Sequence, residues 1–480
     1  MRNILRINRP NLLVGNNFGV IILVVLSVFS TVLLINYLFI GIAVLVISLL
    51  ILLYDERFLF GLIIVTLFSI VSGFGSTLRL VVHITNFSLL GFLFIRHYGF
   101  NFTEYPKIPK PLLYFIGMYY FSMLISATFS NYFFSGLILI GRQTAFFIIA
   151  YIFYSLIKDI EYVKTIIISL VIVSVFIAMS SVYDVSQSGV DLINIAMGGR
   201  YRGASFIANT DASTAFFILT LPIILVFVFL KEYKNIRWIL SSLIVVITFG
   251  LFLIISRSAI LSISISLSIL LYRVRKMLFI KLMLIGSVLL LIILLIEPIN
   301  EALSLFLRLE AGLSQRHFFW DLAYNIIKDN PILGIGPGSY KYLEFNYMPV
   351  LLNSWAGHII VDLSRVIDGA NVSHNMYLKF TSDMGIPGLL SVLYFFVLFF
   401  HISVSTINKA IKGNKVLYLL ILVISTVLGS MFIRCFFDDI GILNYGIIVT
   451  DLPFWLLFGI LIFFYQKPEE FFVKTNFNLT

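Results

Sequence analysis

Apolar runs of about 18–22 residues recur along the whole chain, each closed by a short polar stretch. A helix rises about 1.5 Å per residue, so roughly 20 such residues cross a hydrocarbon core of about 30 Å. The runs are continuously apolar and do not alternate, which predicts helices and argues against a β-barrel. Fourteen spans are predicted, near 18–36, 37–54, 57–73, 78–96, 110–128, 135–157, 163–183, 212–231, 236–254, 257–272, 278–296, 385–404, 415–433 and 449–466. The expected fold class is all-α: a polytopic helical membrane protein of about 12–14 transmembrane helices with one large helical extracytoplasmic loop. The expected organisation is an N-terminal bundle over 1–296 (about 11 helices, with an outer loop at 184–211), a large outer loop over 297–384, and C-terminal transmembrane helices over 385–480.

Composition agrees with the pattern. The 480 residues are 60% hydrophobic and 12% charged, where a soluble domain carries about 25% charge. Lys and Arg gather in the short loops that lie on one side when the N-terminus is cytoplasmic, and basic residues in short cytoplasmic loops set orientation. Both termini are therefore expected in the cytoplasm and the large loop outside, in a bacterial cytoplasmic (inner) membrane. The net charge of +10 then reports topology and contact with anionic lipid, and implies no nucleic-acid partner. The basic start, MRNILRINRP, runs into an apolar stretch without a small-residue cleavage site and reads as an uncleaved anchor. With one cysteine, Cys435, an internal disulfide is impossible.

Two outer segments break the apolar pattern: 184–211 and 297–384. A connection as long as the second, with helical patterning at Phe319, Leu322, Ala323, Ile326 and Ile327, is commonly functional. Its helix ends at Asp329-Asn330-Pro331. Gly334-Ile335-Gly336-Pro337-Gly338 follows. It lacks a preceding strand, and Pro337 lacks a donor, so it is no dinucleotide fingerprint. It is either a tight turn or a set of backbone N–H groups near a phosphate. His374 opens a short helical pattern that stops near Gly385, and Pro387 suits the first turn of the next span. His374, Asn375 and Asp383 are thus expected near the outer surface, where a histidine can act as a general base or as a structural hydrogen-bonder.

Arginines outside the cytoplasmic loops form a second group: Arg200 and Arg202 in GRYRGASF, Arg257 between two spans, Arg142 and Arg434 near outer span ends, and Arg79. A guanidinium at membrane depth needs a partner or a task, and its planar fork suits phosphate oxygens. Function is expected for Arg257. Snorkelling or an internal ion pair, for instance with Asp184 or Asp211, is expected for Arg79, Arg142 and Arg434. No zinc or EF-hand pattern is present, so no metal is expected. Asp438-Asp439 is an acidic pair near an outer end that could hold a divalent cation, but solvated capping is the preferred reading. Without a nucleotide-binding loop, no cofactor is expected.

Arg316-x-x-x-Trp320, the run Pro331 to Gly338, His374-Asn375-x-Tyr377-Leu378 and Gly385-Ile386-x-Gly388-Leu389-Leu390 together resemble the signature of the bacterial O-antigen ligase and O-antigen polymerase superfamily. Ser256-Arg257-x-Ala259 resembles its serine-arginine motif, and Arg200 or Arg202 with Gly203, Phe206 and Asn209 its earlier outer-loop motif. The likeness covers about 198–392. It implies a polytopic GT-C glycosyltransferase that moves a glycan from undecaprenyl diphosphate to an acceptor, without nucleotide sugar or metal, in O-antigen, capsule or exopolysaccharide synthesis. The acceptor would be a second lipid-linked repeat in a polymerase, the reading preferred here, or lipid A core or protein in a ligase. By this likeness His374, Arg257 and Arg316 are the expected catalytic residues. Arg200, Arg202, Asn375, Tyr377, Asp383, Gly336, Gly338 and Trp320 are expected to bind diphosphate and glycan. The family often has glutamate where this chain has Asp383. The rival from another class is a lipid-linked glycan transporter, which would place ionisable groups at the midplane of two related halves. Here they gather at one face.

Overall fold

The computed structural model describes residues 55–69, 76–99, 101–189, 207, 209–254, 256–297, 300–301, 316–340, 342, 347 and 373–474. They form α1 (Glu56–Ser69), α2 (Ser76–Tyr98), α3 (Lys110–Thr128), α4 (Phe133–Ser155), α5 (Ile160–Ser188), α6 (Thr210–Phe229), α7 (Arg237–Ile254), α8 (Arg257–Val274), α9 (Lys276–Leu295), α10 (Arg316–Asp329), α11 (Met376–Ala410), α12 (Lys415–Arg434), α13 (Ile448–Gln466) and α14 (Glu469–Lys474). No strand occurs among the described residues. The protein is an all-α polytopic helical protein, and ten described helices are long and apolar enough to cross a membrane. These ten coincide with ten of the fourteen expected spans. Two more, 18–36 and 37–54, lie outside the described residues. The other two correspond to α1 and α2, which fall outside the ten.

Buried helices α6, α12 and α13 form the centre of the bundle. Around them α3 packs on α11, α8 on α12, and α7 on both α5 and α6. Lipid tails are as apolar as leucine side chains, so close packing and buried hydrogen bonds hold such helices together. Both devices are present. Gly250 of α7 sits against Ala178 of α5, where an added Cβ would stand 2.6 Å from the alanine methyl. Thr220 of α6 donates to Ser174 Oγ of α5 at 2.9 Å. Between α3, α11 and α13, Phe395 stacks on Phe115 (4.4 Å) and on Trp455 (5.4 Å).

Helix α11 is two helices joined at a kink. Gly385 adopts φ 64°, ψ −157°, a conformation essentially restricted to glycine. Pro387 follows in the first turn of the second part, as the sequence predicts. The first part, 376–384, is expected to lie in the outer loop. In the structure it is buried against the bundle, with Phe380, Ser382, Asp383 and Met384 all inaccessible.

Candidate functional site

Five chain segments meet at one end of the bundle. Ser262 Oγ of α8 donates to the Ser430 carbonyl of α12, and Ser266 pairs with Thr426. This antiparallel register brings Arg257, at the start of α8, to the end of α12 that carries Arg434. There Arg434 donates to the carbonyl of Asp211 in the first turn of α6 (2.6 Å). The residues before α11 are pinned to the segment after α12: Met376 N–H donates to the Cys435 carbonyl and Asn375 Nδ2 to the Phe436 carbonyl. Helix α10 closes the group, with Phe319 against the His374 ring (5.6 Å) and Trp320 against Phe437 (6.4 Å).

His374 sits among these contacts, its ring against Phe319. It has φ 49°, a left-handed conformation uncommon outside glycine. Asn375 caps α11, accepting from the N–H groups of Tyr377 and Leu378, so the histidine is fixed just before a helix start. Burial holds the imidazole below its ordinary pKa, with Arg316 and Lys379 acting the same way and the carboxylates of Asp439 and Asp211 opposing. A neutral imidazole is the form that accepts a proton. Arg316, at the start of α10, shares the electrostatic neighbourhood of His374 and Asp438.

Beneath the histidine lies a set of buried charges. Lys379, one turn into α11, donates to Asp439 Oδ2 (2.8 Å) and Asn444 Oδ1 (2.5 Å). Arg434 is fully buried and meets Asp438 Oδ2 at 2.8 Å. Burial raises Asp439, but the charge and hydrogen bond of Lys379, then His374, more than offset it, leaving this carboxyl below its usual range. Asp438 is pushed up, by burial and then by Asp211, against the pull of Arg434. Lys379, Asn444 and Tyr445 are absent from the residues expected in the site. A lysine inside a predicted loop reads as solvated, and its partner lies 60 positions away. The solvated-capping reading of Asp438-Asp439 is corrected: both are buried, each against a cation. For Arg434 the expected internal ion pair is present, with Asp438 as its carboxylate and Asp211 contributing only its backbone. Arg142 donates to the Tyr445 carbonyl.

The glycine turn has a different role from a phosphate cradle. Ile335 N–H donates to the Ser382 carbonyl and Gly336 N–H to the Asp383 carbonyl, while Ile386 N–H donates to the Pro331 carbonyl. Gly338 N–H donates to Asp383 Oδ2 at 3.1 Å. The turn is laid along the α11 kink like a short ladder. An added Cβ at Gly334 would stand 2.6 Å from the Asp383 carbonyl oxygen. Gly336 and Gly338 have thus committed their donors, and Asp383 is buried, held also by the Tyr445 hydroxyl (2.5 Å) and Ser126 Oγ. In this structure the turn is docked on the α11 kink through these three residues. Tyr377 donates to the Phe432 carbonyl and stacks on Phe436 (4.4 Å), and Asn375 is engaged as a cap. Arg200, Arg202 and most of 339–372 lie outside the described residues, as does the Arg79 side chain.

Among the described residues, His374, Asp438 and Asp439 have ligand atoms within 4.8 Å of one another and would be the group to reach a shared cation. Each carboxylate already has a cationic partner at 2.8 Å, so we assign no metal to them.

No curated protein matches the chain. Residues 243–393 match the family model described as O-antigen ligase. The matched span runs from α7 to α11 and contains Arg257, Arg316, the glycine turn and His374. Residues 243–393 thus form an O-antigen ligase-type domain, in a chain whose ten described apolar helices suit a multi-pass membrane protein.

Proposed function

We propose that the protein transfers a glycan from undecaprenyl diphosphate to an acceptor sugar at the outer face of the bacterial cytoplasmic membrane, both termini lying inside. The observation that carries this reading is the meeting of His374, Arg316 and the Arg257 end of α8 at one end of the bundle. The donor enters laterally from the bilayer. Arg316 and Arg257, with Arg200 or Arg202 from the segment before α6, hold the diphosphate and stabilise the charge that grows on it. His374 takes the proton of the acceptor hydroxyl. The hydroxyl oxygen forms a bond to the anomeric carbon, the bond from that carbon to the diphosphate oxygen breaks, and undecaprenyl diphosphate leaves with the electron pair. Direct displacement inverts the anomeric centre. The leaving group supplies the driving force, so no nucleotide is consumed.

The acceptor we assign is a second lipid-linked repeat, which makes the protein a polymerase. The family description, O-antigen ligase, favours a second reading in which lipid A core or a protein accepts. Reconstitution with a defined lipid-linked repeat and sizing of the products separates them. A ladder of chains from the repeat alone supports the polymerase. Transfer only when core is added supports the ligase. Binding of the lipid-linked glycan with no covalent transfer in either mixture overturns both in favour of a transporter.

A further inference from the structure

Two features around His374 find no use in the transfer step as written: the buried Lys379–Asp439 pair and the left-handed backbone of His374 itself. Lys379 is clamped on three sides, by Asp439 (2.8 Å), by Asn444 (2.5 Å) and by the face of the Tyr445 ring (5.1 Å). Both members of the ion pair are buried. Burying an ion pair costs desolvation on both sides and is weak evidence of stability, so its place beside a reactive group is the informative fact. Asp439 lies on the same segment that pins residues 375 and 376, and one of its carboxylate oxygens lies within 4.8 Å of one His374 ring nitrogen.

We propose that Asp439, oriented by Lys379 and Asn444, is the positioning carboxylate of His374 and stabilises the imidazolium formed when the acceptor hydroxyl gives up its proton. The inference rests on the base role given to His374 above. A buried carboxylate left alone would take up a proton and lose its charge. Lys379 prevents this, and Asp439 is accordingly held below its usual range. The other charged groups facing His374 are Asp211 from α6, Arg316 from α10, and Asp438 beside its partner Arg434. Of the carboxylates, Asp439 exerts the largest pull towards the protonated ring. Asp438 is balanced by Arg434 and is pushed towards its neutral form.

The test is the His374 pKa, read by NMR on the full-length protein with labelled histidine, next to the pH profile of glycan transfer. Asp439→Asn removes the carboxylate that favours the imidazolium. The His374 pKa then falls by about one unit, the acid limb of the transfer profile moves down with it, and the plateau rate drops on the order of tenfold while KM changes little. A folded Asp439→Asn protein with an unmoved His374 pKa and a rate within about twofold of wild type overturns the proposal. If Lys379, left without its partner, prevents folding, the neutral double variant Lys379→Met/Asp439→Asn replaces it. The fall in pKa is smaller there, because loss of the Lys379 charge raises the ring's pKa, but the rate falls as in the single variant, and a wild-type rate overturns the proposal equally. A wild-type protein that transfers no glycan, yet shows the pKa fall in Asp439→Asn, defeats the functional reading and leaves the pairing intact.

Discussion

Gly385→Ala should undock the glycine turn and inactivate the protein without unfolding the bundle. At φ 64°, ψ −157° an alanine carries strain of about 1–3 kcal/mol. Its Cβ would also collide with the Ile332 carbonyl and stand 2.7 Å from the Leu333 nitrogen, so the turn has to move away. Moving it breaks the bonds from Ile386 to Pro331, Ile335 to Ser382 and Gly336 to Asp383, each worth about 1 kcal/mol net. The local penalty is therefore about 4–6 kcal/mol, above the range of most point substitutions. Because α10 joins the turn at Asn330 and packs on α11, Arg316 loses its fixed position against His374. Hydrogen exchange at the amides of Ile335, Gly336 and Gly338 reads the undocking directly. The expected result is exchange faster by a factor of about 100 or more at these amides, near-wild-type exchange in α6 and α12, and loss of transfer. Wild-type protection at 335–338 together with full activity would refute the argument.

Other outcomes follow from the same contacts. His374→Ala should lower transfer by about 10²–10⁴-fold with an unchanged melting temperature, because the ring supplies little packing beyond Phe319. Arg316→Ala should lower kcat by about 10²–10³-fold, with Arg316→Lys recovering part of the loss as a point charge without the planar fork. Since burial keeps the His374 pKa below its ordinary value of about 6.5, its neutral form predominates at neutral pH. Transfer should rise from acid with a midpoint below that value, and an acid limb centred above pH 7 would contradict the base assignment. Tyr445→Phe, which removes a donor from the buried Asp383 carboxylate, should cost about 1–3 kcal/mol in thermal or denaturant unfolding. An unchanged midpoint would show that Asp383 is otherwise satisfied.

The helices were legible because a membrane span needs only a run of apolar residues, and ten described helices fall where the runs are. The kink was legible too, since Gly385 and Pro387 restrict the backbone locally. His374 and Arg316 stood out as polar residues in a chain that avoids them, and the structure brings them together. What stayed hidden depends on distant partners. Nothing in Gly334–Gly338 says that its N–H groups face a helix about 45 positions further on, so an open cradle and a docked turn look alike. Asp439 reads as solvated for the same reason, and no local pattern marks Lys379. Their burial is set by the packing of α11 beside the segment after α12, a tertiary fact that no local pattern carries.

The central claim is direct displacement at the anomeric carbon with His374 as base and arginines on the diphosphate. The anomeric configuration of the new linkage, read by NMR on the product that purified protein makes from a lipid-diphosphate-linked repeat, tests it most directly. Inversion relative to the donor is predicted, abolished in His374→Ala. Retention of configuration, or an inverted product formed at the wild-type rate by His374→Ala, would contradict it.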